Sequence, residues 1–360
     1  MHGTSSNHPL RIGFLLPADV AIGNRANGVV RQARMQAAAL RARGHEVLQL
    51  QSWDWQDPAQ LDVLHVFVGG PALLDIERTH GVGSRGILVL SPIIDSNQPF
   101  LAYRSAAIAG NLGNRLLTVP GVLRRQALAS DLVVCRSRHE VLRVTSGLGV
   151  ATECTSLVLN GADPPQQVPA EQRNELQRRL GLPEAFVLHI SAFTQPRKNV
   201  LRLVEATARL GYPLLIAGNA ESGAVLESLR RREGPGLRLL GFVDATTKAL
   251  LYASCKVFCL PSLHEGTGLA ALEAGAYGCN VVITRNGGAP DYFGDDADYV
   301  DPFDQSDIER ALARAWIRAP GPALSERLRL ELTWERSALA LERAYREALI
   351  RKTSAAGPVR

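Results

Sequence analysis

Short apolar runs recur along this chain, each separated from the next by a longer stretch whose apolar positions have helical spacing. A strand buried on both faces reads as a nearly continuous apolar run, and its parallel neighbour can be reached only through a crossover. The alternation therefore points to parallel sheets with helices on both faces, an α/β class. Two sets of runs can be counted. The first comprises residues 11–16, 46–50, 63–68, 87–90 and 132–135; the second comprises 186–190, 214–217, 237–240, 257–260 and 281–284. Between them lies Asn160-Gly161-Ala162-Asp163-Pro164-Pro165, rich in turn formers. Two domains are expected, 1–165 and 166–332, a division that suits 360 residues.

The first run leads through a polar, glycine-bearing loop, residues 17–28, into a helix with Val29, Ala33, Ala37 and Leu40 on one face, ending at Gly44. A last helix over 333–352 carries Trp334, Leu339, Leu341, Tyr345 and Leu349 on a broad apolar stripe, which must pack on something.

Composition removes several classes. With 46% hydrophobic and 21% charged residues the chain is neither disordered nor a disulfide scaffold. No apolar stretch approaches the eighteen residues of a membrane span, and residues 1–9 lack a basic segment followed by an apolar one. A cytoplasmic protein is expected, at most peripheral on the inner membrane face. A net charge of +5 is too mild to argue for nucleic acid as a partner. Locally, Arg104, Arg115, Arg124, Arg125, Arg136, Arg138 and Arg143 face only Asp131 and Glu140, a patch suited to an anionic membrane surface or to phosphates. The five cysteines read as buried, reduced thiols. Cys255 and Cys259 match no second ligand pair, so no metal is expected.

Ligands of open parallel sheets bind beyond the carboxyl ends of the strands. The loop after 257–260 reads Pro261-Ser262-Leu263-His264-Glu265-Gly266-Thr267-Gly268-Leu269 and leads to Glu273. Its glycines leave peptide N–H groups open at a helix start, where a partial positive charge awaits an anion such as a pyrophosphate. Were the whole span helical, Glu265 and Glu273 would stand about 12 Å apart at 1.5 Å per residue, near the length of a folded sugar-diphosphate-ribose. A second amide loop, Asn286-Gly287-Gly288-Ala289-Pro290-Asp291, follows the next strand, and a cationic loop, Thr194-Gln195-Pro196-Arg197-Lys198-Asn199, follows 186–190. Together they make a pyrophosphate cradle.

Other features carry blander readings. Gly81-Val82-Gly83-Ser84-Arg85-Gly86 has dinucleotide-loop spacing but precedes a strand, against the requirement. His65, beside Asp62 in a strand pattern, reads as structural; His264 reads as a loop cap or a substrate contact. Asp291 reads as a helix cap. Trp53 and Trp55 read as packing aromatics.

The stretch from Pro261 to Gly288 resembles the donor-site signature of GT-B glycosyltransferases of the retaining, family 4 kind (glycosyl transferases group 1): Pro-Ser, then Glu-Gly, a glycine, a second Glu eight residues after the first, and a Gly-Gly loop. Supporting matches include the glycine-bearing first loop, Gly44-His45-Glu46-Val47, Asn160-Gly161-Ala162-Asp163, Pro196-Arg197-Lys198-Asn199, Gly241-Phe242-Val243 and Thr333-Trp334-Glu335-Arg336. The resemblance implies two Rossmann-like domains facing across a cleft, with the last helix returning to the first domain. It makes Glu265 the catalytic carboxylate near the reacting sugar carbon and Glu273 the ribose ligand. Lys198, with Arg197, would contact the donor phosphates, and Gly266, Thr267, Gly268, Leu269, Gly287 and Gly288 would line the donor. Gly28 would face the same site from the first domain. The expected donor is a UDP- or GDP-sugar, the acceptor a glycan or lipid-linked saccharide, and no cofactor or metal is implied.

Three positions depart from the family pattern. Ala192 stands where an Arg is usual, Thr267 replaces a Phe, and no His follows the fourth strand, where Ser91 and Asp95 are the acceptor-side candidates. These departures leave open a donor-binding protein without turnover, or a sugar-nucleotide epimerase or hydrolase of the same architecture.

Overall fold

A computed structural model describes residues 8–17, 28–50, 60–69, 86–96, 98–110 and 118–355. Trp53, Trp55, Arg115, most of the 17–28 loop and Gly81 and Gly83 of the 81–86 segment lie outside the described residues.

The chain groups into two compact units, one of residues 1–94, 98–160 and 334–360, the other of residues 95–97 and 161–333. In the first unit β1 (Arg11–Leu15), β2 (Glu46–Leu50), β3 (Val63–Phe67), β4 (Ile87–Ser91), β5 (Leu132–Cys135) and β6 (Thr155–Leu157) form a parallel sheet in the order β2-β1-β3-β4-β5-β6. Strands β3 and β5 are buried along their whole length, as expected for a sheet covered on both faces. One face packs α1 (Gly28–Ala42), through Ala33, Ala37 and Leu40, and the last helix, Trp334–Ala355, through Ala338, Leu341, Ala344 and Tyr345. The other face packs α2 (Phe100–Ala109) and α3 (Val119–Ala129), through Tyr103, Ala107, Leu123 and Ala127. The apolar stripe of the last helix is thus spent within this unit.

In the second unit β7 (Val187–Ile190), β8 (Leu214–Ala217), β9 (Leu237–Gly241), β10 (Val257–Leu260), β11 (Asn280–Thr284) and β12 (Asp298–Val300) order as β12-β11-β10-β7-β8-β9. Read from the other edge this is the 3-2-1-4-5-6 order of dinucleotide-binding sheets, whose direction of winding reverses between β7 and β10. The first sheet has the 2-1-3-4-5-6 order, reversing between β1 and β3. Strands β6 and β12 escape a reading by apolar runs because each is only three residues long, is polar in part, and lies at a sheet edge.

Candidate functional site

A sheet that reverses its winding opens a crevice where the loops leaving two neighbouring strands diverge. In the second unit those strands are β7 and β10, and their ladder spans only Val257↔Val187 and Phe258↔Leu188. Just beyond it the His189 ring takes over, with Nδ1 2.8 Å from the Cys259 carbonyl and Nε2 2.7 Å from Ser191 Oγ. Burial lowers the His189 pKa to about 4, so the ring is neutral. A carbonyl can only accept, hence Nδ1 carries the proton and Nε2 accepts from the serine hydroxyl.

Three loops leave this edge and are tied to one another by main-chain contacts. The Leu263 N–H donates to Arg197 O at 2.8 Å, the Glu265 N–H to Asn286 O at 3.0 Å, and the Gly288 N–H to Glu265 O at 2.9 Å. Asn199, in the left-handed region at φ 57, aims its amide at two more carbonyls, Pro261 O at 3.0 Å and Pro302 O at 2.8 Å. Gly287, at φ 114, must be glycine: a Cβ there would stand 2.1 Å from Glu265 O.

Held this way, the Lys198 ammonium donates to Glu265 Oε1 at 2.5 Å, with both side chains buried. Burial alone would raise the Glu265 carboxyl pKa. The charges of Lys198 and Arg197, with the hydrogen bond from Lys198, outweigh it and hold the group below the ordinary carboxylate range. Glu265 is therefore a fixed anion and not a proton donor near neutral pH. Arg197 is half-buried beside it, its Nε on Gln195 Oε1 at 3.2 Å.

Helix α4 (Leu269–Ala276) starts after Gly268, itself left-handed at φ 76. Residues 265–268 are thus outside the helix, and the separation estimated for a fully helical span does not apply. Gly266, Thr267, Gly268 and Gly288 are buried at the loops' roots, with Leu269 and Gly287 half-buried. The Thr267 hydroxyl lies 3.4 Å from the Tyr292 hydroxyl. Within α4, Glu273 Oε2 accepts from Lys248 Nζ at 2.8 Å and from the Tyr252 phenol at 3.0 Å. Both donors come from one helix, Ala245–Ser254, at a spacing that puts them on one face. Helix Ala289–Phe293 has Gly288 as its N-cap, with Asp291 in its first turn, so Asp291 is not the capping residue.

In the first unit Gly28 is exposed and opens α1; Asp95, which groups with the second unit, is exposed. Ser91 is buried, its hydroxyl 2.8 Å from His65 Nε2, whose Nδ1 lies 2.6 Å from the Tyr345 phenol. Burial lowers His65 to about 3. The ring joins β3, β4 and the last helix, a structural role; Asp62 instead accepts the Arg11 N–H at 2.8 Å. The arginine patch is smaller than its charge count. Arg136 and Arg143 are buried, Arg143 donating to Gln98 O at 2.6 Å and lying 4.9 Å over the Tyr103 ring.

Sequence reading did not single out His189, Ser191, Lys248 or Tyr252. Lys248 and Tyr252 carried a usable signal in their helical spacing. The His189 contact joins strands far apart in sequence and left none. Among the described residues no group of three or more His, Cys, Asp or Glu side chains is placed to hold a metal. No described helix is long and apolar enough to cross a membrane.

Residues 172–322 match the family glycosyl transferases group 1. The chain is 32% identical over 157 residues to a serotype-specific mannosyltransferase WbdA of Escherichia coli, covering 41% of this chain and 19% of that protein. It is 31% identical over 283 residues to a D-inositol 3-phosphate glycosyltransferase of Geodermatophilus obscurus, covering 71% of this chain and 61% of that one. The chain thus spans under two thirds of either relative. Among solved structures, a sucrose-phosphate synthase of Thermosynechococcus elongatus superposes with a TM-score of 0.73 at 18% identity over 95% of this chain and 100% of the other.

Proposed function

Residues 172–322 belong to the glycosyl transferases group 1 and the chain carries the GT-B fold; from that premise we propose that the protein is a retaining glycosyltransferase. It moves a hexose from a UDP- or GDP-sugar to a glycan or lipid-linked acceptor. The observation that carries this reading is the buried Lys198–Glu265 pair at the reversal point, with the amide loops of Gly268 and Gly288 tied around it. The mannosyltransferase among its relatives supports a hexose donor and a surface polysaccharide as product.

In this reading the second unit holds the donor. Lys198 and Arg197 bind its diphosphate, the α4 N-terminus faces a phosphate, and Glu273 takes the ribose hydroxyls. The bond from the sugar anomeric carbon to the diphosphate oxygen breaks while an acceptor hydroxyl oxygen bonds to the same face of that carbon. The hydroxyl proton passes to the departing diphosphate. Charge grows on the leaving group, where fixed cations and amides stabilise it without reorganising. Glu265, kept anionic, stabilises the positive charge developing on the sugar. Lys198 neutralises Glu265 before the donor arrives and the diphosphate afterwards, so donor binding redistributes a charge already present. The acceptor is assigned to the first unit, with Gly28 on its side; Asp95, next in the chain after that unit's residue 94, is assigned as a further acceptor contact, and no metal takes part.

Lys198→Ala and Glu265→Ala are each expected to lower transfer by two or more orders of magnitude while far-UV circular dichroism stays native. Transfer unchanged in both variants overturns the proposal. Product analysis separates the alternatives: a longer glycan means transfer, free sugar means hydrolysis, and an isomeric donor means epimerisation. A thermal-shift panel of nucleotide sugars identifies the donor, since a ligand that binds only the folded state raises its stability by mass action.

A further inference from the structure

Cys255 and Cys279 are free thiols 24 positions apart whose Sγ atoms lie 2.8 Å from each other, both buried. That is inside an ordinary non-bonded contact, which for carbon atoms is about 3.5–4.0 Å, and short of the bond length of about 2.05 Å in a disulfide. Their surroundings give the pair a consequence. The helix Ala245–Ser254 leaves its last carbonyls without helical partners. The donor that would continue the ladder to Tyr252 O is the Lys256 N–H, which goes instead to Phe186 O at 3.1 Å. The two thiols stand in: Cys279 Sγ is 2.9 Å from Tyr252 O, and Cys255 Sγ is 3.5 Å from it. The Tyr252 whose carbonyl they satisfy is the one whose phenol donates to Glu273, and Cys279 follows α4, the helix carrying Glu273, with its N–H on Ala274 O at 3.3 Å.

We propose that Cys255 and Cys279 are an oxidation site, closing reversibly to a disulfide that weakens nucleotide binding at Glu273. The second half of this rests on the reading of Glu273 as the ribose ligand. With a peroxide as oxidant, one thiol sulfur attacks a peroxide oxygen, the O–O bond breaks, and a sulfenic acid and one water form. The other sulfur then attacks the sulfenic sulfur, the S–S bond forms, the S–O bond breaks, and a second water leaves. Two thiols lose two electrons and two protons, and one hydrogen peroxide becomes two waters. Both S–H donors vanish in the process, so the buried Tyr252 carbonyl loses the groups that satisfied it. The helix end must shift to recover a partner, and the Tyr252 phenol moves with it.

The full chain, purified reduced, is treated with hydrogen peroxide and digested without reductant. The expected product is a peptide pair joining Cys255 to Cys279, two hydrogens lighter than the free peptides and separated again by dithiothreitol. In the same samples UDP and GDP binding is measured by calorimetry. The nucleotide that binds the reduced chain is expected to bind the oxidised chain at least tenfold more weakly. Cys255→Ser and Cys279→Ser, which keep an O–H donor for Tyr252 O, are expected to show no change on the same treatment. Free thiols at both positions after treatment overturn the oxidation site. A complete cross-link with unchanged nucleotide affinity overturns the coupling to Glu273. If the reduced chain binds neither nucleotide, the donor reading itself fails, and the coupling with it, while the peptide map still decides the oxidation site.

Discussion

The carboxyl edges of the two sheets meet one demand, a sharp exit from each strand, with different residues. In the second unit the left-handed turns fall on Gly218, Gly241, Gly268 and Gly287, and on Asn199, residue types for which that region is cheap. In the first unit, at the ends of β3 and β4, they fall on Val68 at φ 66 and Ile93 at φ 53. For a β-branched residue this conformation costs on the order of 1–3 kcal/mol and persists only where neighbours enforce it. The enforcement is visible. The Val68 N–H donates to Ser91 O at 2.8 Å, and the buried Glu140 carboxylate takes the Ile94 N–H at 2.6 Å on one oxygen and the Arg136 N–H at 2.8 Å on the other. One edge is relaxed and tied through its backbone; the other is strained and held by a side chain. Strain retained at a strand's carboxyl end is a mark of function, and it supports placing the acceptor on the first unit.

Gly287→Ala probes the relaxed edge most severely. Its Cβ would meet a backbone oxygen, Glu265 O, at 2.1 Å, in addition to the left-handed penalty at φ 114. A loss of about 3 kcal/mol or more is expected in urea unfolding, with nucleotide binding abolished. Gly44→Ala is the control: its φ is 90 and nothing lies within 4 Å of the added carbon, so only the conformational term of about 1–2 kcal/mol remains. Equal losses for the two would show that the Glu265 loop yields, and that the second edge is not rigid.

Acid tests both sheets at once. His65 and His189 are neutral when folded, with pKa values lowered by burial to about 3 and about 4 from 6.5. The unfolded chain takes up their protons first, so stability is full above pH 6.5 and falls as pH drops toward each folded value. The His189 contribution stops changing near pH 4, whereas that of His65 continues to pH 3. In the first unit Glu342, held down to about 2 by Arg43, Arg346 and His45 against the opposing effect of burial, adds a further loss from about pH 4.5 downward. The unfolding free energy from urea titrations should fall between pH 7 and 3 by an amount on the order of a few kcal/mol. His65→Gln should flatten the curve between pH 6.5 and 3. An unflattened curve would mean that the His65 site is hydrated.

Much of this was legible in the sequence because it depends on local pattern. The ten longer strands announce themselves as apolar runs, and the three ligand loops follow from where those runs end. The Gly287 requirement was half legible: the glycine pair marked an open loop, but not that Glu265 O occupies the place of a side chain. Illegible were contacts whose partners lie far apart in sequence. The Lys198–Glu265 pair spans 67 positions and the His65–Tyr345 bond 280, and neither leaves a periodic trace. Charge counting also misled, since Arg136 and Arg143 look like surface charge until burial is known. Ser137-Arg138-His139-Glu140 has capping-box spacing, and the Ser137 hydroxyl does accept the Glu140 N–H at 3.0 Å. The Glu140 carboxylate, however, also reaches Ile94, which the motif does not foretell.

Glu140→Gln tests whether the first edge is held as described. An amide keeps one acceptor oxygen and turns an NH2 toward the other backbone N–H, leaving a buried donor facing a donor. A loss of about 1–3 kcal/mol is expected. In transfer assays the acceptor KM should rise while the donor KM stays put, because Glu140 belongs to the first unit and the residues assigned to the donor belong to the second. A rise in donor KM alone would break the assignment of this loop to the acceptor.

The smallest effect is expected at the strained residue itself. Ile93→Gly removes a left-handed penalty of about 1–3 kcal/mol, but it also frees the unfolded chain, by about 0.5–1 kcal/mol, and gives up the packing of a half-buried side chain. These terms oppose one another, so stability should change by less than about 1 kcal/mol, whereas a glycine at fully buried Val89 on the same sheet would cost several. The functional readout is sharper than the thermal one. If the strain presents the loop to the acceptor, relaxing it should raise the acceptor KM at nearly constant stability. A drop of several kcal/mol would instead show that the Ile93 side chain, and not its backbone, is what the first unit retains there.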